Sequence, residues 1–183
     1  MKIPPNLIWA TDPTGAQCDA SQRKTIGTEF GYAIEMVQAA QKYLQTGEYY
    51  QTFFAPSVRA RPNFAKEAVA VYRRIEEMLD GTANFKVKIT CHYTNDFCDR
   101  KDLATMNALH KTVKICERFF RSEKMAPTSE RIAQIPPTIL EAHHSLSTII
   151  VHKMTHTKAA FLPPSDKSTF NGRDFIARDF TYG

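Results

Sequence analysis

Two histidines separated by four positions are the strongest candidates for chemistry in this 183-residue chain. His152 and His156 lie in a segment with helical hydrophobic periodicity, so their imidazoles project from one face about one turn apart. Two nitrogens placed in this way can bind one Zn²⁺ ion, which prefers four ligands in a tetrahedral arrangement. The spacing alone does not establish a metal site, because a pair of surface or packed histidines has the same pattern.

The residue that follows the first histidine determines what such a site could catalyse. The segment reads His152-Lys153-Met154-Thr155-His156, so a lysine stands where zinc peptidases with a His-Glu-x-x-His helix have their general-base glutamate. A protonated lysine cannot accept a proton from zinc-bound water. The glutamate is not a ligand, so its replacement leaves the metal-binding set intact while making peptide hydrolysis doubtful.

Three helices and two short strands are predicted to position this segment. Apolar residues recur every three or four positions in the three helices, and they alternate with lysines in the strands. The predicted helices are 19–46, 63–79 and 138–156, and the predicted strands are 85–89 and 113–115. The order predicts an α+β fold of long helices and a small antiparallel sheet, with the histidine helix near the C-terminus.

Capping residues support the first two helices. Asp19 or Ser21 can cap the start of the first, and Asn63 is a suitable N-cap for the second. Asp80-Gly81 provides a stop for the second helix, since glycine readily takes the left-handed conformation found just beyond helix ends.

Composition limits the function classes. The hydrophobic fraction of 43% is enough for one compact domain over 1–183, and no apolar stretch is long enough to span a membrane. The net charge of +5 is spread along the chain, so nucleic-acid binding is a weak alternative, and a solvated basic face explains it more simply. The best local support for nucleic-acid binding is a group of four arginines: Arg59, Arg61, Arg73 and Arg74.

The four cysteines predict two disulfides. No two of them are spaced as Cys-x-x-Cys, which argues against a zinc ribbon or a thioredoxin motif. They are Cys18, Cys91, Cys98 and Cys116. Four cysteines permit three connectivities, and their spacing does not choose among them. The even count with irregular spacing favours an oxidising compartment, whereas four free cysteines would also be ordinary in a cytosolic protein of this size, and no signal peptide is visible in the chain.

Two segments together give the chain a family resemblance. Residues 147–156 read Ser-Thr-Ile-Ile-Val-His-Lys-Met-Thr-His, and residues 177–183 read Ala-Arg-Asp-Phe-Thr-Tyr-Gly. They resemble the His-Glu-x-x-His helix and the downstream Gly-Thr-x-Asp-x-x-Tyr-Gly loop of fungal deuterolysins and lysine-specific metallo-endopeptidases. Related fungal zinc-scavenging antigens likewise have a basic residue after the first histidine.

The resemblance implies a zincin-like fold, a ligand set and roles for individual residues. Zn²⁺ would be bound by His152, His156 and Asp179, and the catalytic positions would be Lys153, in place of glutamate, and Tyr182, near the substrate carbonyl. Asp166 and Asp174 are fallback ligands. The same resemblance implies the disulfides Cys18–Cys91 and Cys98–Cys116, and relatives continue into a further C-terminal helix that this chain is expected to lack.

These expectations define three functional hypotheses. The first is a secreted, monomeric zinc-binding protein of metalloendopeptidase ancestry with lost or impaired hydrolysis. The second is an active zinc metalloendopeptidase that acts on peptides or proteins through an unconventional base. The third is a secreted non-enzymatic effector or antigen that uses the fold for binding. A membrane or nucleic-acid partner is not expected.

Overall fold

The computed structural model describes residues 7–11, 17–46, 56, 60, 62–83, 87–92, 98, 103–107, 112–121 and 145–157. These residues form four helices and one four-stranded sheet, so the predicted α+β class is confirmed. In chain order the elements are β1 (Ile8–Trp9), α1 (Ala20–Thr46), α2 (Phe64–Asp80), β2 (Lys88–His92), β3 (Ala104–Asn107), β4 (Thr112–Cys116), α3 (Arg118–Arg121) and α4 (Leu146–Thr155).

Helix α1 begins with a reciprocal cap. The Gln22 backbone N–H donates to Asp19 Oδ1 at 2.8 Å, and the Asp19 N–H donates to Gln22 Oε1 at 2.9 Å. Two backbone donors that lack helical partners are thereby satisfied, and of the two predicted caps Asp19 is the one used. The apolar face of α1 is fully buried at positions with helical spacing: Ile26, Phe30, Ala33 and Val37.

Helix α2 has the predicted N-cap residue and the predicted glycine end. Gly81 has φ 94°, and its N–H donates to the Glu77 carbonyl, which closes the helix in the left-handed conformation that glycine accommodates. Asn63 occupies the N-cap position with φ 64° and makes no side-chain cap hydrogen bond. The predicted N-cap residue is therefore confirmed, but its side chain does not cap the helix, because the left-handed backbone of Asn63 differs from the extended one used by capping side chains.

The sheet has the order β1-β2-β4-β3. Strand β2 pairs in parallel with both β1 and β4, and only β3 pairs antiparallel, with β4. The predicted antiparallel sheet is therefore wrong for two of the three pairs. Alternation of side chains reveals which face a residue occupies, but not the direction of the neighbouring strand. Strand β3 follows β2 in sequence and lies at the outer edge, which leaves β2 and β4 side by side.

One face of this sheet and the helices enclose the hydrophobic core. Val87, Ile89 and Cys91 of the β2 region and Val113 and Ile115 of β4 are all fully buried. Ile89 lies beside Val113 and Cys91 beside Ile115 in the parallel register, so these side chains share one face. Residues of α1, α2 and α4 belong to the same core. The helix that carries the histidine pair is therefore packed into the core that one face of the sheet borders.

Two disulfides cross-link the fold. Cys18, just before α1, is bonded to Cys91 in β2, and Cys98 is bonded to Cys116 at the end of β4. This is the connectivity implied by the family resemblance, and it is confirmed. No helix of the described segments is long and apolar enough to cross a membrane.

Candidate metal centre

The helix that carries the histidine pair begins at a serine cap. Ser145 has extended backbone (φ −95°, ψ 154°), and its Oγ accepts a hydrogen bond from the Thr148 N–H at 3.4 Å. The Thr148 hydroxyl donates to the Ser145 carbonyl at 2.6 Å. The prediction of a continuous helix from Thr138 is therefore wrong, because residue 145 is not helical and α4 starts at Leu146.

One face of α4 is anchored in the core. Leu146, Ile150 and Met154 are buried at three- and four-residue spacing, and α4 packs chiefly against α1, with further contacts to β3 and α2. The Ser147 hydroxyl on this face donates to Glu29 Oε2 of α1 at 2.6 Å. Both side chains are almost completely buried, Ser147 at 0% and Glu29 at 1% exposure, so a polar bond lies inside the contact between the two helices.

The histidine pair lies on the other side of α4. His152 follows Ser147 by five residues, which is about 140° around a helix. The Nε2 atoms of His152 and His156 are 3.2 Å apart, and their ring centroids are 4.8 Å apart with an interplanar angle of 70°. Both rings are half-buried. The sequence prediction that these imidazoles share one face is confirmed.

The distance between the two nitrogens fits a zinc ion. With Zn–N bonds of about 2.0–2.1 Å and a tetrahedral angle of about 109°, two ligand nitrogens lie roughly 3.3 Å apart. The observed 3.2 Å therefore suits two adjacent positions of a tetrahedral Zn²⁺ site. The same distance also suits an N–H···N hydrogen bond between two neutral imidazoles of complementary tautomers.

The end of the helix favours positive charge at this point. His152 and Lys153 lie in the last turn of α4, where the helix dipole presents its negative end. The Thr155 hydroxyl donates to the His152 carbonyl at 2.6 Å, and the His156 N–H donates to the Lys153 carbonyl at 3.2 Å. These bonds hold the backbone of both histidines. A cation held between the two rings would be stabilised by the same field.

The helix terminus is also tied to α2. The Thr157 hydroxyl, which is buried, donates to the Met154 carbonyl at 2.8 Å and contacts Met78 Sδ at 3.5 Å. The backbone just beyond His156 is thereby fixed against the core, so the second histidine does not sit at a frayed end.

The remaining predicted site residues fall outside the described part of the chain. They are Asp179, Tyr182, Asp166 and Asp174. Within the described part, no group of three or more His, Cys, Asp or Glu side chains is placed to bind a metal. The structure thus brings together two of the three predicted ligands, with Lys153 beside them, half-buried.

The buried Glu29–Ser147 bond was not predicted from the sequence. Glu29 lies between Ile26 and Phe30 on the apolar face of α1, and this placement could have indicated a buried acid. Its partner is 118 positions away, which no local pattern reveals.

The arginine group offered for nucleic acid gains no support. Arg59 and Arg61 lie outside the described residues, whereas Arg73 and Arg74 are on α2. Arg73 is exposed, but Arg74 is partly buried, and desolvation lowers its pKa although the nearby Glu77 opposes that change.

Comparison of the sequence with protein-family models and with curated proteins found no match. A functional assignment therefore depends on the geometry of α4 and on the sequence resemblance.

Proposed function

We propose that this chain is a zinc-binding protein of the deuterolysin-like metallopeptidase type in which peptide hydrolysis is lost or strongly impaired. The observation that supports it most directly is the 3.2 Å separation of the His152 and His156 Nε2 atoms on one half-buried face of an anchored helix. The disulfide connectivity and the combination of long helices with a small sheet agree with the same family.

In this proposal the metal has three protein ligands. His152 and His156 supply two nitrogens from α4, and Asp179 supplies a carboxylate oxygen from the C-terminal segment. Two imidazoles and one carboxylate form a ligand set of the type found in catalytic zinc sites, which keep one position for water or substrate. When bound, zinc would act as a Lewis acid, and Tyr182 would lie near the substrate carbonyl.

Lys153 is the reason for expecting little hydrolysis. It follows the first histidine, where the general base of the related peptidases stands, and an ammonium group has no lone pair with which to take a proton. General acid–base catalysis contributes about 10²–10⁴ in rate, so its loss would leave a site that binds better than it hydrolyses. The two disulfides are consistent with a secreted protein.

Zinc stoichiometry of the purified protein tests the metal site. We expect one zinc per chain, measured by elemental analysis after dialysis, and its loss in His152→Ala, His156→Ala and Asp179→Ala. His110→Ala is the matched control, because it also removes one imidazole but lies outside the helix of the motif. Zinc retained in either α4 variant would contradict the site, and an absence of zinc in the wild type would favour the metal-free effector or antigen.

Peptidase assays of the same samples separate the two zinc-binding hypotheses. We expect no casein hydrolysis by the zinc-loaded wild type and a gain of activity in Lys153→Glu, because the substitution restores the missing base. Hydrolysis by the wild type that is lost in Lys153→Glu would instead show a working peptidase with an unconventional base.

A further inference from the structure

We propose that a groove between α1 and α2 is a docking site for an amphipathic helix with acidic side chains. The groove has a volume of about 410 Å³, within the range of about 300–1,000 Å³ that is common for binding sites. Its lining residues are Leu44, Ala65, Lys66, Val69, Ala70 and Arg73. They belong to α1 and α2 rather than to α4, so this inference goes beyond the proposed function and does not depend on zinc.

Hydrogen bonds between α1 and α2 hold the two helices together beside the groove. Glu76 Oε1 accepts a hydrogen bond from Gln38 Nε2 at 2.7 Å, and Glu76 Oε2 accepts one from Gln41 Nε2 at 2.6 Å. Leu44 follows Gln41 by about one turn, and Val69 precedes Glu76 by about two turns. The groove therefore lies next to a fixed contact, toward the end of α1 and the start of α2.

The α2 side of the groove combines apolar and cationic residues. Lys66, Val69, Ala70 and Arg73 have the i, i+3, i+4, i+7 spacing that places side chains on one face of a helix. The two cations are seven residues apart, which is about 10 Å along the helix axis. Both are exposed, whereas Val69 and Leu44 are each only 9% exposed. A recessed apolar surface thus lies between two solvated cations.

The two cations are available to a partner. Within the described part of the chain, the side chains of Lys66 and Arg73 form no ion pair or hydrogen bond. The acidic residues three and four positions after Arg73 are Glu76, which is bonded to the α1 glutamines, and Glu77, which interacts with Arg74. Acidic groups of a partner can therefore pair with both cations without breaking an internal ion pair.

The shape and composition of the groove favour a helix over other anionic partners. The apolar side chains are recessed, so they can receive side chains but do not protrude to insert into a lipid bilayer. None of the described lining residues is aromatic, which leaves no platform for stacking of nucleic-acid bases. A helix with acidic residues at i and i+7 and aliphatic residues at i+3 and i+4 matches the groove in spacing and in charge.

Fluorescence anisotropy with the full-length protein tests the proposal. The probe is a fluorescein-labelled, alanine-based helical peptide of about 18 residues, with glutamates at i and i+7 and leucines at i+3 and i+4. We expect this peptide to bind and its counterpart with lysines in place of the glutamates not to bind. Affinity should fall roughly twofold to fivefold in Lys66→Gln and in Arg73→Gln. Lys24→Gln, which removes an exposed α1 lysine outside the groove, is the matched control and should bind unchanged.

A second variant separates docking from general electrostatic attraction. Ala70→Gln places a longer polar side chain in the groove without changing the charge, and it should weaken binding as well. The alanine is half-buried, and glutamine is a good helix former, so the variant is expected to fold. Circular dichroism checks the helix content of every variant.

Four results would overturn the proposal. They are the absence of binding at about 1 mM peptide, equal binding of the acidic and lysine peptides, unchanged affinity in both charge variants, and unchanged affinity in Ala70→Gln. Tighter binding of phosphatidylserine vesicles or single-stranded DNA that is lost in the same charge variants would instead assign the two cations to another class of partner. None of these results bears on zinc binding by α4, so failure of this inference is distinguishable from failure of the proposed function.

Discussion

Replacement of Ser147 by alanine should destabilise the protein through the contact between α1 and α4. The substitution deletes a hydroxyl that donates to Glu29 Oε2 at 2.6 Å, in a place where the two side chains are 0% and 1% exposed. This distance lies in the range of charge-assisted O–H···O⁻ bonds. Water has little access to the carboxylate, so it cannot replace the lost donor without a local rearrangement.

The expected loss follows from two opposing effects. A hydrogen bond to a charged group contributes about 1.5–3 kcal/mol to stability, and leaving its buried acceptor short of a donor costs in the same range. Alanine has a better helix propensity than serine by about 0.5 kcal/mol, which offsets part of the loss. The free energy of unfolding should therefore fall by about 1–2.5 kcal/mol for Ser147→Ala.

Urea denaturation followed by circular dichroism measures this change. With a slope of roughly 2 kcal/mol per molar urea, the midpoint should fall by about 0.5–1.2 M. The control is Thr28→Ala, which removes a solvent-exposed hydroxyl bonded to the Lys24 carbonyl at 3.1 Å and should change stability by less than about 0.5 kcal/mol. If Ser147→Ala is no more destabilising than this control, the buried bond does not stabilise the helix contact as argued.

Three further predictions concern other parts of the fold. Replacing both Cys18 and Cys91 by serine opens a loop with a sequence separation of 73 and should cost about 4 kcal/mol, seen as a lower urea midpoint; an unchanged midpoint would contradict this. Gly81→Ala forces φ 94° on a residue with a Cβ and should cost about 1 kcal/mol by the same assay, whereas Thr82→Ala, its exposed neighbour, should cost less. Burial raises the pKa of Tyr72, so the folded state holds its phenolic proton more tightly, and stability should fall as pH rises above about 10; this slope should be smaller in Tyr72→Phe.

Local features of the chain were predictable because their causes are local. The Asp19 cap of α1, the glycine end of α2 and the shared face of His152 and His156 all depend on residues within about one turn of each other. A few dihedral angles and a helical period are enough to determine such features. The disulfide pairing came from family resemblance rather than from spacing, which leaves three connectivities open.

Features that join distant segments were not predictable. The pattern of apolar residues does not reveal that β2 lies parallel to β4. This pairing arises because β3 lies at the edge of the sheet, and the strand order depends on the packing of the whole sheet. The start of α4 was also predicted wrongly, because Ser145 has an extended backbone and caps a helix that begins only at Leu146.

The sequence by itself determined the candidate metal ligands of α4 and their common face, since residues four positions apart lie on the same side of a helix. Only the tertiary structure decided that their nitrogens lie 3.2 Å apart on a half-buried surface and that Glu29 anchors the opposite side of that helix. Rotamers, burial and the partners of a buried acid depend on segments far apart in the chain. Packing of the complete core therefore selects among the arrangements that the local pattern allows.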